Sequence, residues 1–390
     1  QIKMGLFEYM KKKVLYVKFR LTDNSVDSML WLINIVPSLA GFSLKKERIT
    51  IFTPFWIIHL SLLFYVYGVG NLVYQKYYAQ EAGDFIKSFV NVSLLVLIAN
   101  NSYWFLTQRP LLQEIIKEVK QSDSMARDSP EFHKKHEKLM ATVYRIVLIF
   151  YAVNYGNASC IYLPHRSDVD NEFSMTPCVG IRPLSAFPKR QICSIILCLQ
   201  ELSIMTVVLN YQALLLLFVD HTSAMYKLLS DEMITFNQPD VDDDYVKRKL
   251  PSLLQRHILC LSIVNKFKLL FSMPIGINFL SNAACISLFF YLPLPEWLGF
   301  IPILVYCFLV FFLYCFLGQR LIDSAEAFER AVYGCGWEKF DVKIQKTIYL
   351  MLMNAQAKIE ILAADIIPVN IYTFATTIQF MFKFVTVMKF

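Results

Sequence analysis

Long apolar blocks separated by polar connections set the pattern of this chain. A helix that crosses a bilayer needs about 20 mostly apolar residues. Runs of that kind fall near residues 52–74, 84–105, 139–163, 192–217, 258–291, 297–318 and 368–390, predicting seven transmembrane helices. The fifth run exceeds one crossing and is expected to continue into the cytoplasm. The stretch MLWLINIVPSLAGF, residues 29–42, is apolar but too short to span, which suits a re-entrant or interfacial segment. Pro37 is expected to break it, because proline lacks the N–H that a helix interior needs. Between Trp337 and Leu362 apolar residues recur at Ile348, Leu352, Ala355, Ile359 and Leu362. That 4-3-4-3 spacing is the seam of a helix packing on another helix. It fits packing within one subunit and an oligomer contact equally well. Pro368 marks a break before the last span.

Lysine and arginine in the connections give the orientation, because cytoplasmic loops carry the excess of both. The N-terminal segment is rich, with Lys11, Lys12, Lys13, Lys18, Arg20, Lys45, Lys46 and Arg48 among others, whereas the first loop has only Lys76. The second loop is rich again, from Arg109 to Lys138, and the fourth carries Lys227, Lys247, Arg248, Lys249 and Arg256. The fifth, residues 292–296, has none. The third loop, with Arg166, Arg182, Lys189 and Arg190, fits the alternation least. The N-terminus is therefore expected in the cytoplasm and, with an odd number of spans, the C-terminus outside. That is opposite to G-protein-coupled receptors, and neither a D-R-Y nor an N-P-x-x-Y motif argues otherwise.

Composition agrees: the chain is 56% hydrophobic and only 18% charged, with mean hydropathy +0.44, against about 25% charged residues in soluble domains. The opening QIKMGLFEYMKKK has no hydrophobic core or cleavage site of a signal peptide. Its first residue is Gln, so part of the native N-terminus is expected to precede it. Cys193, Cys198, Cys285, Cys307 and Cys315 fall inside apolar blocks, where small buried hydrophobes are the simplest reading. Cys160 and Cys178 flank a predicted outer loop, which leaves a disulfide between them open.

Enzyme signatures are missing: no GxSxG, HExxH, P-loop or GxGxxG is found. No cofactor or metal is expected. His133 and His136 lie in a run of Lys and Glu and read as a solvated helix. Asp240, Asp242, Asp243 and Asp244 read as a solvated loop, or as a vestibule that attracts cations. Ionisable residues inside spans are functional candidates by default. Here they are Lys87, Arg145, Glu201, Lys266, Lys268 and Lys383, with a structural pair inside the bundle as the alternative. Lys87 is near a span end, and Lys266 and Lys268 lie toward the cytoplasmic end of the fifth helix, so all three can snorkel or reach water.

The outer halves of several spans carry aromatics, amides and small residues. These are Ser88, Phe89, Val92 and Ser93 on the second span, and Tyr151, Asn154, Tyr155 and Ala158 on one face of the third. The fourth offers Ile196, Leu197 and Gln200, the fifth Asn278 and Asn282, and the sixth Leu304, Val305 and Phe308. Together they would make an apolar cavity with a few polar groups, suited to a small lipophilic ligand; ordinary helix packing uses the same residue types. In the last span Thr376, Gln379, Lys383 and Thr386 or Val387 share one stripe, which can line a pore or bind helices together. Phe384, Val387 and Met388 would form an apolar ring if several copies met on an axis.

From Ala327 to the end, the chain resembles the insect odorant receptor family. Ala331, Tyr333 and Trp337 match an Ala-x-Tyr-x-x-x-Trp element. Pro368, Asn370, Thr373 and Phe374 match Pro-x-Asn-x-x-Thr-Phe, and the basic Lys389 closes the final span. The resemblance extends in outline to the whole chain. It implies an all-α, seven-helix subunit of a tetrameric nonselective cation channel opened by odorants. It further implies a cytoplasmic N-terminal segment with a re-entrant helix (1–50), spans one to six with the ligand pocket (51–326), a cytoplasmic anchor (327–365) and a pore-lining last span (366–390). The family's gate positions correspond to Phe384, Val387 and Met388, and its anchor to the helix after Trp337. The family's coreceptor has a long insertion between spans four and five; here the connection, residues 225–256, is short. This chain therefore resembles a ligand-tuning subunit that partners the coreceptor in a heterotetramer, in the dendritic plasma membrane of olfactory sensory neurons. Lys383, facing a lumen, would oppose cation entry in a homotetramer and favours mixed assembly. The related gustatory receptors carry T-Y-x5-Q-F; Gln379–Phe380 are present here, but Tyr372–Thr373 stand in reverse order. A gustatory-type channel is the second reading, and a secondary transporter using Glu201 and Arg145 the third.

Overall fold

The computed structural model describes residues 2–44, 51–77, 82–128, 130–167, 178–181, 187–289 and 301–389. Helices dominate it. α1 (Ile2–Thr22), α2 (Val26–Ile33) and α3 (Ile35–Leu39) precede α4 (Pro54–Leu63), which runs through a π-helical stretch, Phe64–Gly70, into α5 (Asn71–Tyr77). Then follow α6 (Ala82–Thr107), α7 (Arg109–Arg127), α8 (His133–Ser167), α9 (Lys189–Ile234), α10 (Asp243–Phe289) and α11 (Ile301–Tyr333). α12 (Val342–Ala355), a minimal hairpin of β1 (Leu362–Ala363) and β2 (Ile367–Pro368), and α13 (Ile371–Lys389) complete the chain. Six helical segments among the described residues, from Pro54–Tyr77 to Leu304–Lys339, are long and apolar enough to cross a membrane. The 19-residue α13 supplies the seventh. The predicted fifth loop, 292–296, and the predicted start of the sixth span at Trp297 lie outside the described residues.

α9 is the axis of the bundle. It contacts α4, α6, α7, α8, α10 and α11, and from Ser203 to Met233 nearly every side chain is buried. A helix buried on all sides must be apolar or must pair its polar groups internally. Beyond Leu217, where the sequence predicted the span to end, α9 pairs its carboxylates with basic side chains of other helices. Asp220 pairs with Arg320 of α11. Glu232 accepts from Arg256 of α10 at 2.7 Å. The connection between spans four and five is therefore shorter than the predicted 225–256, because α9 continues to Ile234 and α10 begins at Asp243. Of the acidic group there, Asp242 accepts the backbone N–H of Tyr245 at 2.8 Å. Asp243 and Asp244 occupy the first turn of α10, where the helix dipole favours negative charge.

Other expectations are corrected locally. The re-entrant segment breaks at Asn34, between α2 and α3, rather than at Pro37. Pro37 falls in the first turn of α3, where a missing N–H costs no helical bond. Asn34 holds the turn instead: its carboxamide accepts from Leu44 N at 2.6 Å. His136 is buried rather than solvated and bonds Asp123 of α7 at 3.0 Å. Burial works to raise the Asp123 pKa, but that hydrogen bond and the charges of His221, His136 and Arg127 hold it below the usual carboxylate range. Asp23 behaves alike: burial opposes, and the hydroxyls of Ser25 and Ser28, both donating at 2.6 Å, hold it low. The disulfide joins Cys178 to Cys193, which brings the loop before α9 down onto that helix. Cys178 is thus taken, and Cys193 is a bonded cystine rather than a packed thiol. The side chain of Cys160 lies outside the described residues.

The seam after Trp337 also ends early. α12 stops at Ala355; Ile359 follows in irregular chain and Leu362 is in β1. The hairpin takes over because Ala364 and Asp365 adopt positive φ (52° and 57°) and Ser272 of α10 holds them. The Ser272 hydroxyl accepts from Asp365 N at 2.8 Å, and its carbonyl accepts from Ala364 N at 2.9 Å. Within α12, Ile344, Ile348, Met351 and Ala355 form the buried face. Ile348 and Ala355 are therefore spent on packing inside this chain, with Trp337 and Leu352 partly buried against the same core. Ile359 is also buried. The apolar residues left facing outward on α12 are others: Val342, Tyr349, Leu350 and Met353.

Candidate functional site

A cavity of about 90 Å³ opens within the helical bundle. The π-helical stretch contributes Tyr67, and α6 contributes Ser93, Leu94, Leu97 and Ile98. Asn154 and Asn157 face it from α8, and Ile204, Met205, Val208 and Leu209 from α9. Ser281, Asn282 and Cys285 of α10 and Tyr306 and Cys307 of α11 close it. A mostly apolar wall with a few convergent polar groups is the usual chemistry of a small-molecule site.

Most of the polar groups are already engaged. The Asn154 amide donates to Phe150 O at 2.7 Å. The Tyr306 hydroxyl accepts from Gln212 at 2.9 Å. Cys285 and Cys307 are hydrogen-bonded side chain to side chain, and Ser93 bonds Cys285. Asn282 is different. It is 2% exposed, and its amide nitrogen has no hydrogen-bond partner.

Of the residues expected to contact a ligand, Asn154 and Asn282 line the cavity, as does Ser93 beside them. The others do not. Ser88 is buried and bonds Asn71 and Gln75, which fastens α6 to α5. Phe89, Val92 and Val305 point out of the bundle. Tyr151 donates to Asn210 at 3.0 Å and stacks on Tyr155. Ile196 and Leu197 pack at the edge of the cluster around Leu63 and Val66, and Gln200 is buried nearby on α9. Asn278 donates to the Tyr314 hydroxyl at 3.4 Å. Leu304 and Phe308 pack behind the cavity wall. The side chain of Ala158 lies outside the described residues. On α9 the lining begins at Ile204, eight residues past Ile196, or ~12 Å further along the helix. Tyr67 comes from the first predicted span, which offered no ligand candidate; the seven-residue π stretch that carries it leaves no hydropathy signature, though π segments recur at functional sites.

The last helix has two faces. Ile378 and Met381 pack against Leu304, Cys285 and Cys307, so α13 abuts the cavity wall. Gln379, Lys383, Phe384 and Val387 are exposed; Thr376 bonds its own helix through Tyr372 O at 2.9 Å. The side chain of Met388 lies outside the described residues. Asn370 caps this helix by accepting from Thr373 N at 2.8 Å. Of the ionisable candidates, Lys266 is paired with Glu114 and Glu118, each at 2.9 Å. Lys268 donates to Lys358 O at 3.3 Å. Arg145 is exposed and Glu201 buried; the side chain of Lys87 lies outside the described residues.

Residues 81–382 match the 7tm Odorant receptor family. The chain belongs to that family. Its members are receptors rather than enzymes, and this odorant receptor chain is a multi-span membrane protein. It is similar to Odorant receptor 67a of Drosophila melanogaster, 25% identical over 181 residues, and to Odorant receptor 22a of the same species, 24% identical over 159. Those matches span 44% and 38% of both this odorant receptor and the respective relative, so each covers less than half of either protein. The fold is that of the insect olfactory receptor OR5 from Machilis hrabei: TM-score 0.77 at 14% identity, covering 94% of this chain and 99% of that one. The same receptor in complex with eugenol gives 0.74 at 12% identity, covering 92% and 96%.

Proposed function

We propose that this odorant receptor is the odorant-binding, ligand-tuning subunit of a ligand-gated nonselective cation channel. It would assemble with the odorant receptor coreceptor in the plasma membrane of olfactory sensory neurons, N-terminus inside and C-terminus outside. The observation that carries this is the mostly apolar cavity enclosed by the bundle of an odorant receptor chain. The fold relative from Machilis hrabei, solved with eugenol, supports a small volatile ligand. The exposed stripe of Gln379, Lys383, Phe384 and Val387 on α13 supports a pore-lining last span. The outward apolar face of α12, Val342, Tyr349 and Met353, supports a subunit contact in the anchor.

In this mechanism the ligand shifts a population. Raising open probability from about 1% to 50% requires a preference for the open state of about 2.7 kcal/mol. At about 25 cal/mol per Å², roughly 110 Å² of extra apolar burial in the open state supplies it. Because α13 packs on the cavity wall through Met381 and Ile378, a ligand that moves the wall acts on the last helix directly. The test is whole-cell current in cells expressing this chain alone and together with a coreceptor, against volatile ligands. Odorant-evoked cation current only in the paired cells is expected. Labelled-ligand accumulation without current would overturn the channel assignment in favour of transport.

A further inference from the structure

Among the polar side-chain atoms of the cavity wall, one is buried without a hydrogen bond: the Asn282 amide nitrogen. No acceptor lies within hydrogen-bond reach of it. The Tyr306 hydroxyl is bonded to Gln212, the Asn154 amide nitrogen to Phe150 O, and Ser93 to Cys285. The remaining wall around it is aliphatic: Leu97, Ile204, Val208 and Leu209. A buried donor without an acceptor is an incomplete pair, and the molecule that completes it must bring an acceptor oxygen.

We propose that this cavity selects small apolar molecules carrying an acceptor oxygen, ketones and esters among them, and that Asn282 fixes them by donating its amide N–H to that oxygen. The proposal rests on the reading of the cavity as the odorant site and adds the chemical class. An alcohol of the same skeleton offers the oxygen as well. A hydrocarbon of the same shape leaves Asn282 as it stands. Sites built to hydrogen-bond one group discriminate strongly against analogues that lack it, whereas apolar pockets discriminate weakly between shapes.

The probes are 2-heptanone, 2-heptanol and 2-methylhept-1-ene, which share a skeleton and differ in the group at carbon two. Half-maximal concentrations are measured as current in cells expressing the chain with a coreceptor, for the wild type and Asn282→Leu. In the wild type the alkene is expected to need at least tenfold more than the ketone or the alcohol, a difference of 1.4 kcal/mol. In Asn282→Leu the ratio of ketone to alkene falls to about one while the alkene response persists, which shows that the variant folds. Equal potency of ketone and alkene in the wild type, or discrimination that survives Asn282→Leu, overturns the proposal and leaves the odorant-receptor reading standing. The same three probes are also scored by thermal protection of the purified complex. A ketone preference there that depends on Asn282, without any current, keeps the proposal and removes the channel reading. No protection and no current from any probe overturns it.

Discussion

The Glu232–Arg256 pair offers the sharpest test of how the interior is held together. Both side chains are almost fully buried, 6% and 3% exposed, and one guanidinium nitrogen donates to the carboxylate at 2.7 Å. The pair joins the end of α9 to the fourth turn of α10, beyond the short Thr235–Asp242 connection. Removing one partner leaves the other as a buried, uncompensated charge, which costs about 3–5 kcal/mol. Arg256→Met and Glu232→Met should each fall in that range. Glu232→Gln keeps an acceptor and loses only the charge, so it should cost less. The double variant, Met at both positions, leaves no charge behind and fills similar volume, so it should return close to the wild type. At roughly 2 °C per kcal/mol, each single change lowers the apparent midpoint by about 6–10 °C, and the double change by much less. Detergent-solubilised, fluorescently tagged chain is heated at one fixed rate, since unfolding of such a protein is irreversible. The monodisperse fraction is then read by size-exclusion chromatography. Additive losses, with the double variant as poor as the sum of the singles, would refute the view that these groups matter as a pair.

Other expectations follow from the same structure. Peptide mapping without reduction should recover a Cys178–Cys193 link, and Cys193→Ser should cost about 3 kcal/mol of stability, the value for closing a loop of about 15 residues; a recovered Cys160–Cys178 link would contradict the structure. Gly318→Ala drives a methyl group into the backbone carbonyl of Val369, where neither side can yield, and should cost about 1–3 kcal/mol or more. Gly156→Ala on α8, with nothing within 4 Å, should be neutral or better, and equal thermal losses for the two would argue against the α11–hairpin contact. Asp23 and Asp123, whose folded-state pKa values are lowered, add stability that is present above their unfolded pKa of about 3.9 and is lost as pH falls through the folded values. Thermal stability should therefore hold from about pH 7 to 5 with respect to these groups and decline below about 4; Asp123→Asn should lower the plateau and flatten that decline. Met381→Ala removes one of the two side chains that pack α13 on the cavity wall and should change the maximal ligand-evoked current more than ligand protection against heat; equal effects on both would place Met381 in binding rather than coupling.

The spans are legible in the sequence because hydropathy over about 20 residues measures the exposure that matters in a bilayer. What hydropathy cannot see is pairing over long sequence distance. Asp220 and Glu232 lie beyond the predicted end of the fourth span, yet both are buried, because Arg320 and Arg256 meet them from other helices. His136 and Asp123 hide one another in the same way. Periodicity misleads for a related reason at Ile359 and Leu362. They continue a helical spacing, but Ser272, some ninety residues earlier, captures the backbone at Ala364 and Asp365 and turns the chain into a hairpin. Candidate ligand residues chosen by type failed where the helix turned them outward, as with Phe89, Val92 and Val305. Others fall outside the cavity where a partner already satisfies them, as with Tyr151, which donates to Asn210. Asn154 and Asn282 were legible because a carboxamide inside a span is costly enough to need a reason.

That reason differs between the two, and the difference bears on how the receptor is tuned. The Asn154 amide nitrogen is bonded within its own helix to Phe150 O, so that donor asks nothing of a ligand. Asn282 is left unsatisfied one turn before Cys285, whose thiol is bonded to Cys307 and packs with Met381 of the last helix. The polar anchor and the surface that meets α13 are therefore parts of one face of α10, a single turn apart. A ligand held at Asn282 necessarily rests against the stretch of α10 that supports the last helix. Specificity and gating would then be read by neighbouring residues of one rigid element, with no relay through the rest of the bundle. A change at Asn282 should alter which molecules act, and a change at Met381 how strongly they act, because the two residues stand on opposite sides of the same wall.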